Sequence, residues 1–393
     1  MRLSSTLLAS LAVCLCLSSQ IAQSRTLTDM RGVTVRVPDK VERIATISDG
    51  FVEEILTHLG QIEKVVALGS WGPKLRSDYS FTHADGRELK LTGSSPMRSI
   101  NPFLDERICF SSRMGDILDF EALAKAAPDV LILRVGDCTI RAGDKERVAK
   151  TIDTVNSLGI PLVVLHTPEW TRTAGLESLR EEASIIGAIF GLEEKAAAFA
   201  DELAGVERLI RERTVGIPEA EKTRVLFIGL SGDVRKKGGA GQVWGLDTPE
   251  SYIIEEVVGA KNAFRGKGSG VPLSAEQIYA LDPDVIILPT SRGYHPPMEL
   301  MEAPYFENLR ELRAVREKRV YSMPYSPKNC ARRAEYPLDM LITAKAAYPE
   351  RFSDFSLYGY ARDFYMRAYG LTEDKADEVR GYQLLDWMKG AEF

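Results

Sequence analysis

The sequence predicts an α/β fold: two Rossmann-like lobes, each built on a parallel sheet, joined by a long rigid α-helix. Three observations carry that expectation. Short β-branched runs alternate with helical patterns in both halves of the chain, which is the texture of parallel βα units. A proline-free amphipathic stretch separates the halves. One helix-to-strand segment occurs twice, once in each half.

In the first half, Arg43–Ile47, Lys64–Leu68, Val130–Leu133 and Pro161–Leu165 read as strands, with helical patterns at Val52–Leu59 and Phe120–Ala127. In the second half, Arg224–Ile228, Val285–Leu288 and Arg319–Ser322 read as strands, and Ser251–Val258 and Ala275–Ala280 as helices. Between them, residues 174–215 hold no proline, and Leu179, Ala183, Ile186 and Ile189 recur at spacings of three and four. That spacing puts one apolar stripe on a helix. Gly191 predicts a break in it. In the repeated segment a glutamate, Glu121 or Glu276, opens a short helix. Pro-Asp follows seven residues later (Pro128-Asp129, Pro283-Asp284), and a four-residue apolar strand comes next. The glutamate suits a helix N-terminus, the proline ends the helix, and the apolar run suits a buried parallel strand.

The chain has 393 residues, 45% hydrophobic and 27% charged, with a formal net charge of −6. The length suits two or three compact domains, and the acidic balance argues against nonspecific nucleic-acid binding. Residues 1–24 read as a signal peptide: Arg2, an apolar run Leu7–Leu17, then Ala22-Gln23-Ser24 as a cleavage site. Cys14 and Cys16 permit a lipid anchor, but Val13 and Leu15 before them favour a mature protein without one. Cleavage leaves Cys109, Cys138 and Cys330. An exported compartment permits a disulfide; the sequence does not select the pair, and the spacing fits no zinc template. The expected domains are an N-terminal lobe 25–173, a connecting helix 174–215, and a C-terminal lobe 216–393 with closing helices.

At this point the chain resembles the periplasmic substrate-binding proteins of ABC importers for iron-siderophores, haem, cobalamin and related metal compounds. The opening Thr28-Asp29-Met30-Arg31-Gly32-Val33-Thr34-Val35-Arg36-Val37-Pro38, then Val41-Glu42-Arg43-Ile44, is similar to that family's first hairpin and strand. Both Glu…Pro-Asp segments, the long middle helix, and the stretch from Glu335-Tyr336-Pro337-Leu338-Asp339 to Ala347-Tyr348-Pro349-Glu350-Arg351-Phe352 resemble its pattern too. The resemblance covers nearly all of the chain after residue 24. It implies a periplasmic or otherwise extracytoplasmic monomer that performs no chemistry and has no cofactor of its own. Its ligand would be a metal-containing chelate, foremost a ferric siderophore, with a membrane permease as partner. Glu121 and Glu276 match the family's permease-docking glutamates.

In open parallel sheets ligands bind beyond the carboxyl ends of the strands. The loops there hold Asp49 after Ile47, Trp71 after Leu68, Arg134 after Leu133 and Trp170 after Leu165. In the second half they hold Trp244, then Arg292 and Tyr294 after Leu288, then Tyr325 and Arg332 after Ser322. The aromatics would wall a bulky ligand. The arginines, with Lys328 and Arg333 beside them, would pair with an anionic one. Gly238-Gly239-Ala240-Gly241 lacks the Gly-Lys-Ser/Thr ending of a phosphate loop and reads as a flexible cleft rim. His83, His166 and His295 have no paired spacing, so a chelated metal fits better than a bare ion. An oxyanion such as molybdate or tungstate, haem or cobalamin remain as alternatives. So do an enzyme or a receptor-coupled sensor on the same scaffold, although no nucleophile elbow, His-Glu-x-x-His motif or dinucleotide fingerprint is present.

Overall fold

The computed structural model describes residues 24–113, 115–167, 176, 179–290, 294–325, 333–390 and 393. The chain opens with an antiparallel pair, β1 (Ser24–Thr28) and β2 (Thr34–Pro38). Alternation buries Leu27, Val35 and Val37 on one face. Asp29 fastens this pair to the lobe, because its carboxylate accepts the Val164 N–H at 3.0 Å.

The strands that follow are β3 (Ile44–Ile47), β4 (Val65–Leu68), β5 (Arg76–Thr82), β6 (Glu88–Ser94), β7 (Ile108–Cys109), β8 (Val130–Val135) and β9 (Leu162–His166). All but β5 and β6 form one parallel sheet in the order β7-β4-β3-β8-β9. The strand order reverses at β3, so a crevice opens beyond the carboxyl ends of β3 and β8. Both strands are buried along their whole length, which explains why they read as unbroken apolar runs.

The second half holds β10 (Arg224–Gly229), β11 (Gly241–Val243), β12 (Lys261–Asn262), β13 (Val271–Leu273), β14 (Val285–Leu288) and β15 (Val320–Ser322). Here β12, β14 and β15 lie parallel in one sheet with β10. The expectation of purely parallel sheets needs one refinement, since β11 and β13 extend this sheet antiparallel. Both are three-residue strands, β11 between β10 and the edge strand β13, and an antiparallel edge on a parallel sheet is common.

The repeated Glu…Pro-Asp segment has the same mechanics in both halves. Helix Phe120–Ala126 is capped by Asp119 and leaves through Ala127 at φ 44. Helix Ala275–Leu281 is capped by Ser274 and leaves through Asp282 at φ 39. The aspartate after each proline then accepts the backbone N–H at the start of the lobe's first strand: Asp129 from Arg43 at 2.9 Å, Asp284 from Arg224 at 2.7 Å. Those two arginines return to the helix ends, Arg43 to the Ala126 carbonyl and Arg224 to that of Leu281. The motif sets the register of neighbouring parallel strands.

Between the sheets run helices Leu179–Ala188 and Glu193–Thr214. Gly191 at φ 68 makes the turn between them. Gly187 leaves no room for a Cβ, which would lie 2.7 Å from the Leu192 carbonyl oxygen. The longer helix, 22 residues, spans about 33 Å at ~1.5 Å per residue. Its Phe199, Leu203 and Ile210 share one core with Ile44 and Val130 of the first sheet, Val225 and Ile287 of the second, and Leu338 and Phe364 of the closing helices.

The hairpin β5–β6 is a second fastening. It leaves the N-terminal sheet between β4 and β7 and lands on the other half. Phe81, 4% exposed, is buried among Leu226, Ile228, Leu288 and Phe306. Tyr79 Oη lies 3.1 Å from His295 Nδ1, and His83 Nδ1 lies 2.6 Å from Glu302 Oε2. At the hairpin base Gln383 donates to the Ser94 carbonyl at 2.9 Å. A Cβ on Gly93 would press on the Tyr325 ring at 2.6 Å. Replacing a buried phenylalanine by alanine typically costs about 3–5 kcal/mol. Phe81→Ala is expected to lose an amount in that range in urea unfolding; a loss below about 1 kcal/mol would show that the hairpin does not fasten the halves.

Candidate functional site

The crest of the N-terminal sheet is a buried polar network. Asp49, 1% exposed, follows β3. Its carboxylate accepts from the Thr139 hydroxyl at 2.6 Å, from the Thr139 N–H at 2.8 Å and from the Ser70 hydroxyl. Its own N–H donates to Asp137 Oδ2 at 2.9 Å. Asp49 therefore ties together the loops after β3, β4 and β8. Gly72 lets the β4 loop settle on it, since a Cβ there would meet the Asp49 carbonyl oxygen at 2.8 Å.

Arg134 lies beneath. It is fully buried, with Nε 2.6 Å from Glu182 Oε2, Nη2 3.0 Å from Glu182 Oε1 and Nη1 2.9 Å from Asp137. Its guanidinium stands 4.5 Å from the Phe51 ring centre. Burial works against its charge, but Asp137 and Glu182 outweigh that and raise its pKa. Asp137 is pushed up to about 7 by burial, with Arg134 opposing the rise.

Two residues expected at the ligand lie in the interior of the lobe: Asp49 and Arg134 are both buried, and the hydrogen bonds described above join them to other residues of the lobe. Three more expected contacts are also interior. Trp244, 5% exposed, belongs to the central core. Tyr294, 3% exposed, donates to the Leu384 carbonyl at 2.8 Å. Tyr325, 4% exposed, packs on Gly93. Sequence position at a strand end cannot separate a cleft wall from a residue turned beneath it. Trp170, Arg292 and Arg332 lie outside the described residues, as does Lys328.

Trp71 remains as a half-open aromatic on the crest. Its indole N–H donates to the Ser111 carbonyl at 2.9 Å, which fixes the ring. Two cations flank that ring: Lys74 Nζ at 5.3 Å and the exposed Arg113 at 5.5 Å from its centre. Arg113 was not legible as a site residue, because β7 before it is only two residues long. Cation–aromatic contacts of this kind order a long side chain at a modest gain, roughly 0.5–1 kcal/mol when exposed.

Arg333 approaches the same crest from the C-terminal half. Its Cδ would lie 3.0 Å from a Cβ on Gly50. Burial opposes its charge, while Glu335, Glu54 and Asp339 raise its pKa. Glu54 crosses between the halves, accepting the Ala334 N–H at 2.6 Å. Burial raises the pKa of Glu54 and Glu335 and pushes Asp339 to about 7.

Cys138 is disulfide-bonded, to a partner outside the described residues. Cys109 keeps a thiol, 3.9 Å from the Ser111 carbonyl oxygen. Among the described residues no group of three His, Cys, Asp or Glu is placed to hold a metal ion, and no helix is long and apolar enough to cross a membrane.

The two sheets, the helices between them and the cation–aromatic corner at Trp71 are the features to set beside known proteins. The sequence profile of the periplasmic binding proteins matches residues 86–327. The chain belongs to the periplasmic binding protein family. Among curated proteins none matches it. Solved structures share its fold. A periplasmic solute-binding protein from Veillonella parvula has TM-score 0.71 at 21% identity, covering 94% of this chain and 100% of that one. The molybdate-bound MolA of Haemophilus influenzae has TM-score 0.63 at 17% identity, covering 88% and 98%. CeuE of Helicobacter pylori, as a nickel–histidine complex, has TM-score 0.59 at 17% identity, covering 91% and 99%. Periplasmic binding proteins act outside the cytoplasm, carry no cofactor of their own, and deliver their solute to a membrane permease.

Breaking a buried ion pair by removing one partner typically costs about 3–5 kcal/mol. Arg134→Ala is expected to lower unfolding stability by that much, because it leaves Glu182 and Asp137 buried without their cation. An unchanged urea midpoint would contradict the assignment of Arg134 to the scaffold.

Proposed function

We propose that this periplasmic binding protein captures an anionic metal chelate, foremost a ferric siderophore, between its lobes and passes it to an ABC permease without chemistry. The observation that carries this is the crest at the carboxyl ends of β4 and β7. There a fixed indole, Trp71, has Lys74 and the exposed Arg113 beside its ring, Lys74 also donating to the Asp105 and Arg107 carbonyls. A flat apolar surface with two cations suits a bulky anion better than a bare metal ion. The ligands of two similar structures, molybdate and a nickel–histidine complex, are metal-containing as well. An oxyanion such as molybdate or tungstate is the second reading, favoured by the MolA likeness. In this reading residues 25–173 and 216–393 are the lobes and 174–215 the connector. Residues 1–24 are the export signal in this reading, and the mature protein is a monomer.

Capture is tested by titrating ferric catecholate, hydroxamate and citrate chelates, and molybdate, into wild-type protein and Arg113→Gln. One ferric chelate is expected to bind, and the variant to bind it several-fold more weakly, as for loss of a rim charge. Binding of neutral solutes alone would overturn the proposal; tight binding of molybdate alone would select the second reading.

Delivery rests on Glu121 and Glu276. Both are exposed second residues of matched helices, which supports a role in meeting cations of a permease. Glu121→Lys with Glu276→Lys is expected to leave folding nearly intact, since exposed helix-start charges contribute about 0.3–1 kcal/mol each. Ligand titration should match wild type while cellular uptake falls sharply. Normal uptake would return both residues to helix capping.

A further inference from the structure

The carboxyl end of β10 leads through Ser231 into the short helix Gly232–Lys236 and then a glycine-rich turn into β11. Beside this turn is a cavity of about 570 Å³, lined among others by Gly232, Arg235, Lys236, Gly239, Tyr305 and Asn308. We propose that it is an anion-binding pocket for carboxylate- or phosphate-type groups, with Arg235 as its principal contact.

The side chain of Arg235 is held in place before any ligand arrives. Its guanidinium lies 4.1 Å from the Tyr305 ring centre and 4.9 Å from that of Phe306. Those two rings meet edge to face at 5.0 Å, so they form a corner that fixes the guanidinium. Yet Nη1 is buried and has no hydrogen-bond partner among the described residues. The residue as a whole is only half-buried, so the rest of its side chain can meet an anion in the cavity. Among the described residues no carboxylate lines the cavity. The nearby Glu299 is engaged instead by His295 at 2.7 Å and by the Tyr305 hydroxyl at 2.8 Å. Lys236 is exposed at the mouth and adds a second positive charge.

The glycines shape this pocket without acting as a phosphate loop. The N–H groups of Gly238 and Gly239 are spent on the carbonyls of Arg235 and Val234, at 2.9 and 3.0 Å. A Cβ on Gly239 would meet the Val234 side chain at 2.6 Å, and on Gly241 that of Ile228 at 2.5 Å. Backbone thus packs tightly as the floor, in place of the flexible rim the sequence suggests, and recognition falls to Arg235, Lys236 and the Asn308 amide. A guanidinium fork matches the paired oxygens of carboxylate and phosphate. The volume exceeds what a lone oxyanion fills and falls in the range of organic ligands. The group recognised therefore belongs to a larger organic acid. It arrives either as a free anion or as an acidic arm of the chelate; the second source rests on the function proposed above.

Calorimetric titration with citrate, inorganic phosphate and ferric citrate tests the pocket in wild type, Arg235→Gln and Arg235→Lys, with thermal unfolding as the folding control. Wild type is expected to bind citrate, Arg235→Gln to bind it at least tenfold more weakly, and Arg235→Lys to fall between them. Equal weakening for ferric citrate identifies the acidic arm of a chelate as a source of the anion. Citrate binding that depends on Arg235, with no ferric citrate binding by wild type, retains the pocket and sets aside the ferric chelate. Failure of wild type to bind either citrate or phosphate, or unchanged affinities in a folded Arg235→Gln, would overturn the proposal.

Discussion

A guanidinium without water is tolerable only among carboxylates, and the interior of this protein is arranged around one such case. Arg134 is the largest fully buried side chain among the described residues. Glu182 reaches it from the connector helix and Asp137 from the loop after β8. Asp137 in turn accepts the Asp49 N–H, and Asp49 holds Ser70 and Thr139. One chain of charge-assisted hydrogen bonds therefore runs from the connector to three crest loops. Desolvation makes each link costly to break and ineffective unless the others are present. The crest on which Trp71 and Arg113 stand is rigid for this reason.

The same economy limits how far the halves can move. The helical connector shares one core with both sheets, so bending it would expose apolar surface. The β5–β6 hairpin adds an independent fastening, because Phe81 is an interior residue of the opposite half. Glu54 makes a third crossing through the Ala334 N–H. Under the proposed function, a binding protein fastened in three places would receive its solute in a largely preformed cleft. Such preorganisation lowers the ordering cost of binding.

How much of this was legible depends on whether the controlling contact is local. The Glu…Pro-Asp repeat was readable because cap, helix end and strand start lie within a dozen residues, and the structure supplies its reason in Asp129 and Asp284. The Gly191 turn was readable because a left-handed residue there needs glycine. The burial of Arg134 was not legible, because its partner Glu182 lies 48 residues away and no spacing links them. That of Trp244 and Tyr294 was not legible for the same cause: it is decided by distant segments. The hairpin escaped notice because β5 and β6 are polar on one face and its anchoring partners, His295 and Glu302, come from the other half. Arg113 and Arg235 acquire meaning only from rings brought beside them by folding.

The central claim is that this cleft carries an anionic, metal-containing solute. Its most direct test is native mass spectrometry, with metal analysis, of protein isolated from the cell envelope without chelators. The account predicts a stoichiometric adduct that contains one metal atom, carries net negative charge, and leaves intact when the protein is unfolded. Protein that retains only a neutral, metal-free solute would contradict it.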